Sequence, residues 1–218
     1  MKYAVPGGWV LGLATLALLG ASCSILPAPQ PDTTHYFVLT AIDPAERSQG
    51  ASATARDAKL VIGLGPISFP DYLARSEIVT RAADNRVELS TVDRWAEPLD
   101  VTFKRILSHD LALALDGAQV AAFPWFGSSS HFDYWVEAVI DRFEADGQGV
   151  ARLTARWTVS DGANDRMLYS STTDLTVAAT PGNNAAMAAA LSQVESEFAG
   201  EIAAAIRRLH AQASSSRE

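Results

Sequence analysis

Residues 150–160 read VARLTARWTVS. Ala151, Leu153, Ala155, Trp157 and Val159 alternate with Arg152, Thr154, Arg156, Thr158 and Ser160. Successive side chains of a strand point to opposite faces, so this alternation predicts a β-strand with one apolar and one wet face. Such a strand belongs in an antiparallel sheet covered on one side only. Two neighbours extend the pattern. Phe132–Ala145 places Tyr134, Val136, Ala138 and Ile140 on one face, and Met167–Ala178 is a third long strand. Gly147-Gln148-Gly149 and Asp161-Gly162 are the turn signals that join the three as hairpins.

The cover for this sheet is readable from a second periodicity. Met187, Leu191, Val194, Phe198, Ile202, Ile206 and Leu209 recur at three- and four-residue steps, one stripe of an amphipathic helix. Asn183 or Asn184 can cap its start, and Arg207, Arg208 and His210 suit the negative end of its dipole. Its polar face is assigned Glu195, Glu197 and Glu201 and lacks the Lys/Arg richness of membrane-surface helices, so it is expected to pack on the sheet. Leu99–Leu115 is a second helix, with Phe103, Ile106, Leu107, Leu111, Ala114 and Leu115 as its stripe. Shorter strands are expected at His35–Ala41, Lys59–Phe69, Ile78–Arg81, Arg86–Val92 and Gln119–Phe123. PDYLARSE, after Phe69, reads as a turn or a single helical turn. Asp43–Ala58, rich in Ala and Ser and without pattern, reads as a mobile loop. Strands and two helices without βαβ alternation along most of the chain predict an α+β fold. The expected architecture is a single compact domain, a mostly antiparallel sheet with two amphipathic helices packed on one face.

The N-terminus addresses the chain. Trp9–Leu19 is an apolar run of about eleven residues, too short to span a bilayer and right for a signal-peptide core. Gly20, Ala21 and Ser22 follow, and then Cys23, the only cysteine in 218 residues. This is the layout of a bacterial lipoprotein signal, with residues 1–22 removed and Cys23 lipidated. Gly20 stands where a larger residue is usual in that signal. The alternative is an ordinary secretory leader cleaved near Ala21, with Cys23 a stray thiol. Residues 23–33 then form the lipidated cysteine and a tether with three prolines, reaching roughly 30 Å. Stable attachment takes two or more acyl chains. Ser24, rather than an aspartate, follows the cysteine and favours sorting to the outer membrane. Residues 34–213 make the folded domain, and 214–218, SSSRE, a frayed tail.

Charge and cysteine count remove several classes. The chain carries 17 basic against 25 acidic residues, a formal charge of −8 that loss of Lys2 makes one unit more negative. Such a surface repels phosphates, which weighs against nucleic acid and anionic lipid head groups as partners. With Cys23 consumed, no disulfide, cysteine-based zinc site or redox pair can form. The four histidines are scattered singly, so neither a metal nor another cofactor is expected. Ser129, His131 and Asp133 would share a face, but a hydrolase triad draws its members from separate segments, and no G-x-S-x-G elbow is present. Glu137 and Asp141 lie roughly 13 Å apart along a strand, too far for paired acid–base work. No catalytic residues are assigned, and the chain is read as a non-enzyme.

Two segments remain unusual. PDYLARSEIVTR (Pro70–Arg81) and DRWAEPL (Asp93–Leu99) crowd aromatics, arginines and carboxylates outside the periodic elements. Tyr72, Arg75, Arg81, Arg94, Trp95 and Glu97 are the residues expected at a partner interface, because Arg and aromatic side chains dominate such surfaces. The competing reading is an internal arginine–carboxylate network that pins a loop and caps the first helix near Pro98.

Those segments also carry a family resemblance. Cys23, the Tyr36-x-x-Leu39 start, P-D-Y-L-x-R-x-x-I-V-x-R at 70–81 and R-W-A-E-P-L at 94–99 together resemble the ABC-type transport auxiliary lipoproteins. The branch is that of the paraquat-inducible protein C (PqiC/YmbA-like) proteins. W-T-V at Trp157 and A-A-M-A-A-A-L-S around Met187 fit the later part of the pattern, and the likeness spans about residues 35–209. The long insert after Asp43 departs from it. The resemblance implies a compact α/β domain and an outer-membrane lipoprotein facing the periplasm, with palmitate among its acyl chains. It further implies an accessory or docking role, without catalysis, in an MCE-type intermembrane phospholipid transport system, with an MCE-domain protein as partner. A lipid- or hydrophobic-ligand-binding carrier module is the alternative, and a homo-oligomer is compatible with either.

Overall fold

The computed structural model describes residues 32–41, 60–124 and 131–216. Cys23, the tether as far as Pro31, the Asp43–Ala58 loop and Ser129 lie outside the described residues. Residues 34–218 form one compact unit. Its strands are β1 (His35–Phe37), β2 (Val61–Ser68), β3 (Glu77–Ala83), β4 (Arg86–Trp95), β5 (Gln119–Ala122), β6 (Tyr134–Asp146), β7 (Val150–Asp161) and β8 (Met167–Ala178). The helices are α1 (Leu99–Ala114) and α2 (Asn184–Ser215). All eight strands join one open mixed sheet, and the fold is α+β.

β6 organises that sheet. Along one edge it pairs antiparallel with β7, which pairs antiparallel with β8. Its other edge is shared, with β2 parallel to its first half and β3 parallel to its far end at Ala145 and Asp146. Beyond this fork β2 pairs parallel with β5, while β3 pairs antiparallel with β4 and β4 parallel with β1. The longest ladders are antiparallel, as expected, and the shorter parallel pairings β1–β4, β2–β5, β2–β6 and β3–β6 make the sheet mixed.

The alternation at 150–160 translates directly into burial. Ala151, Leu153, Ala155, Trp157 and Val159 are all buried. Opposite them lie Leu191, Val194, Phe198 and Ile202 of α2, also buried. Trp157 meets Phe198 edge-on at 6.1 Å between centroids. Its indole N–H donates to Thr173 Oγ1 (2.9 Å), and that hydroxyl donates to Glu201 of α2 (2.5 Å), so the one polar atom of the ring is satisfied. α1 is joined to the sheet by a trio of edge-packed rings, Phe69, Phe103 and Phe143, with 5.0 Å separations on either side of Phe103. Asn183 caps α2 by accepting the Ala186 N–H at 3.0 Å. At the other end α2 runs to Ser215, further than the apolar stripe predicted, and Ser214 Oγ bonds back to the His210 carbonyl.

The regular pattern breaks at two places. The β6–β7 register slips between Ile140 and Arg142, a bulge that makes Asp141 an extra residue. Tyr134, Val136, Ala138 and Ile140 face the helices before it, and Phe143 and Ala145 after it. Glu195, expected on the polar face of α2, is instead fully buried; Glu197 and Glu201 are exposed. The buried arc of α2 is wider than its Leu/Ile/Phe stripe, because Ala188, Ser192, Ala199 and Ala203 are buried as well, and Glu195 falls inside that arc.

Candidate functional site

The segments singled out at 70–81 and 93–99 meet in space beside the fork in the sheet. β2 ends at Ser68, the chain makes a single 3₁₀ turn at Asp71–Leu73, and β3 begins at Glu77. β4 runs on past Val92 because β1 pairs in parallel with Asp93, Arg94 and Trp95. Arg94 and Trp95 are therefore strand residues, and the Trp95 N–H donates to the Ser76 carbonyl at 2.6 Å. A groove of about 350 Å³ lies between the turn and the start of α1. Trp95 and Leu99, both buried, form its floor, while Ala74, Ala96 and Pro98 stand exposed around it.

The six candidate residues are not equivalent there. Trp95 belongs to the core at 6% exposure. Arg94 pairs with Glu77 (3.0 Å), whose carboxyl is held below its ordinary range by a hydrogen bond from its own backbone and by Arg94. Glu97 accepts from Thr102 Oγ1 (3.2 Å) and from Arg105 (3.3 Å), tying the groove to the first turns of α1. Tyr72 and Arg81 turn away from the groove and bind a carboxylate that the sequence reading did not single out, that of Glu144. Arg75 is exposed on the rim, and its side chain makes no hydrogen bond or ion pair with a described residue.

Glu144 explains why the turn is held. Its side chain is 1% exposed although it follows the bulge on the outer face of β6, because Tyr72 and Arg81 cover it. Tyr72 Oη donates to Oε2 at 2.7 Å, Arg81 Nε to Oε1 at 2.7 Å, Arg142 Nε to Oε1 at 3.0 Å, and the Phe143 N–H to Oε2 at 3.1 Å. Arg81 also lies 5.7 Å from the Tyr72 ring centroid and donates to the Asp84 carbonyl. Burial pushes the Glu144 carboxyl up, but the bonds from Arg81, Tyr72 and Arg142 outweigh it and leave the group below its ordinary range. The same burial, with the Glu144 bond and charge beside it, pushes the Tyr72 hydroxyl up to about 12. Both readings of the two segments thus find residues here: an internal network around Glu144, and a groove with Arg75 free on its rim. Glu144 carries no clear mark in the string, because it stands among Asp141, Arg142 and Asp146, which are charged as well.

A second polar cluster ties the first strand to the last helix. Asp93 accepts from His35 (2.9 Å), from Asn184 (2.5 Å) and from Ser90 (3.2 Å). Burial raises its carboxyl, and these bonds reverse the effect and lower it. Asp133, considered as part of a triad, accepts the Val61 N–H at 2.8 Å and so serves the β2–β6 junction. Asp141 is bound by both arms of Arg156 at 3.0 Å. Among the described residues no three His, Cys, Asp or Glu side chains are grouped to hold a metal, and no helix is long and apolar enough to cross a membrane.

The architecture places the chain in a class of helix-covered, mixed-sheet α+β domains. An uncharacterized protein of known structure shares it with a TM-score of 0.63 at 20% identity, covering 79% of this chain and 98% of that one. A protein from Xanthomonas campestris shares it with a TM-score of 0.60 at 18% identity, over 72% and 89% of the two chains. The sequence profile of the ABC-type transport auxiliary lipoprotein component matches residues 37–203, and the chain belongs to that family. The matched stretch contains both groove segments. The intermembrane transport lipoprotein PqiC of Escherichia coli K12 is 24% identical over 152 residues, 70% of this chain and 73% of that protein, and the Shigella flexneri protein of the same name matches equally.

Proposed function

We propose that this protein is an outer-membrane lipoprotein that serves as a non-catalytic docking subunit of an MCE-type intermembrane phospholipid transport system. Acyl chains on Cys23 hold it, residues 24–33 keep its domain within roughly 30 Å of the bilayer, and the domain faces the periplasm. The observation that carries the reading is the family match over residues 37–203, supported by the likeness to the intermembrane transport lipoprotein of E. coli. The MCE-domain partner is received at the groove between the 70–81 and 93–99 segments, with Trp95 and Glu97 lining it, Arg94 beside it, Arg75 presented on its rim, and Tyr72 and Arg81 pinning the turn from behind through Glu144.

The alternative, a carrier of lipid or another hydrophobic ligand, needs room between the sheet and α2. Leu153, Trp157, Phe198 and Ile202 fill the middle of that interface, none more than 3% exposed, and the clefts at its margins, beside Val177–Pro181 and beside Tyr134 and Leu168, are open rather than enclosed. This favours the dock.

Density-gradient fractionation of cells expressing wild type and Cys23→Ala tests the reading. The wild type is expected with the outer membrane and the variant in the soluble periplasm. Affinity purification from crosslinked membranes is expected to bring an MCE-domain protein with the wild type. A soluble wild type whose thiol reacts with maleimide defeats the anchor, and a purified protein that carries phospholipid but no protein partner favours the carrier.

A further inference from the structure

Among the described residues, the charged side chains around the groove are engaged at home, with one exception. Glu97 is answered by Thr102 and Arg105, and Asp100 by Lys104 at 2.9 Å. Arg94 has Glu77 and Ser76, and the Trp95 N–H has the Ser76 carbonyl. Arg75 is near enough to Glu77 to help lower its carboxyl, but the bridge there belongs to Arg94. The Arg75 guanidinium is exposed and makes no side-chain hydrogen bond or ion pair with a described residue. It stands beside a mostly apolar slot whose two carboxylates are neutralised by their own cations.

We infer that Arg75 is the specificity determinant of this groove, receiving a carboxylate from a protein segment whose neighbouring apolar side chain lies against Ala74, Ala96 and Pro98. The inference rests on the docking reading and names the chemistry of the partner. Charge complementarity argues for the occupant. A guanidinium presents a planar fork that binds a carboxylate through two parallel hydrogen bonds. A basic segment would have to compete with Arg105 for Glu97 and with Lys104 for Asp100, whereas a carboxylate meets Arg75 without displacing a partner. An anionic membrane surface is a poor competitor, since its many phosphates face the whole acidic chain, of formal charge −8, whereas one carboxylate on a segment meets only the rim at Arg75. An acidic residue beside a small apolar one meets the slot and the rim together.

The test measures binding of the detergent-solubilised full chain to the purified MCE-domain protein of the same organism. Wild type is compared with Arg75→Ala, Arg75→Lys and Arg75→Glu, and with Arg156→Ala on the remote sheet face as control. Arg75→Ala should weaken binding about tenfold and Arg75→Glu further. Arg75→Lys should recover part of the loss, and Arg156→Ala should bind as wild type, with all melting temperatures unchanged. Raising salt should weaken wild-type binding and leave Arg75→Ala less affected. A photocrosslinker in place of Ala74 should mark a partner segment containing Asp or Glu, and reversing that acid's charge should restore binding to Arg75→Glu. Arg75→Glu binding as tightly as wild type, while Ala96→Trp abolishes binding, overturns the role of Arg75 and leaves the dock standing. Arg75-dependent flotation with phosphatidylglycerol vesicles overturns it in favour of a lipid phosphate. A wild type that does not bind the MCE-domain protein defeats the docking reading itself, and this inference with it.

Discussion

Replacing Glu144 by glutamine removes a buried charge while keeping the side chain's shape. Four donors converge on that carboxylate, two of them guanidinium groups at 2.7 and 3.0 Å. Taking away one partner of a buried ion pair costs roughly 3–5 kcal/mol, because the remaining charge stays desolvated and unanswered. The Arg81 and Arg142 side chains are 19% and 33% exposed, so water recovers part of that cost. We place Glu144→Gln at the lower end, about 3 kcal/mol, which lowers the melting temperature of a domain this size by about 6–12 °C. The loss should also depend on pH. The folded Glu144 carboxyl lies below its ordinary range, so its stabilisation is present above the unfolded-state value of about 4.3 and fades as pH falls through the folded one. Differential scanning calorimetry of both proteins from pH 7 down to about pH 3 reads this directly: the gap should be widest near neutrality and close in acid. A gap under 2 °C at pH 7, or one that stays constant into acid, refutes the account of this network.

Two further outcomes are expected of the same network and of the seam beneath α2. In an ultraviolet pH titration, Tyr72 should appear as a late ionisation, its hydroxyl sitting at about 12; its raised value adds stability below about pH 10 that is lost as pH climbs towards 12. In Glu144→Gln that late phase should move down, because the acceptor charge is gone; an unmoved phase contradicts the assignment. Phe198→Ala opens the packed seam between Trp157 and α2 at a side chain with no exposure, and urea denaturation should show a loss of about 3–5 kcal/mol. A loss under 1 kcal/mol would mean that the seam is loose enough to reopen the carrier reading.

The period-two and period-3.6 patterns were sufficient for the elements that stay regular from end to end. The alternation at 150–160 and the stripe from Met187 to Leu209 each determine their own buried face, since a strand or helix obliges spaced residues to share a side. The asparagine cap at Asn183 and the groove segments were legible in the same way, as local chemistry with local consequences. The site was only half legible. Residue types at 70–81 and 93–99 marked the region, but nothing in the string distinguished Tyr72 and Arg81, spent on a buried carboxylate, from Arg75, left on the rim.

What the tertiary structure decided is where regularity breaks or where a partner comes from far along the chain. One extra residue at Asp141 reverses the facing of β6, so Glu144 cannot be placed by counting from Tyr134. Its cover comes from Tyr72 and Arg81, 72 and 63 residues away. Glu195 is buried because the width of the apolar arc on α2 depends on what packs against it, and α1 and the sheet both do. Trp95 is core because β1, a strand of three residues much earlier in the chain, pairs with β4 as far as Trp95. Periodicity is a property of neighbours along the chain; burial of a charge is a property of neighbours in space, and only folding brings those together.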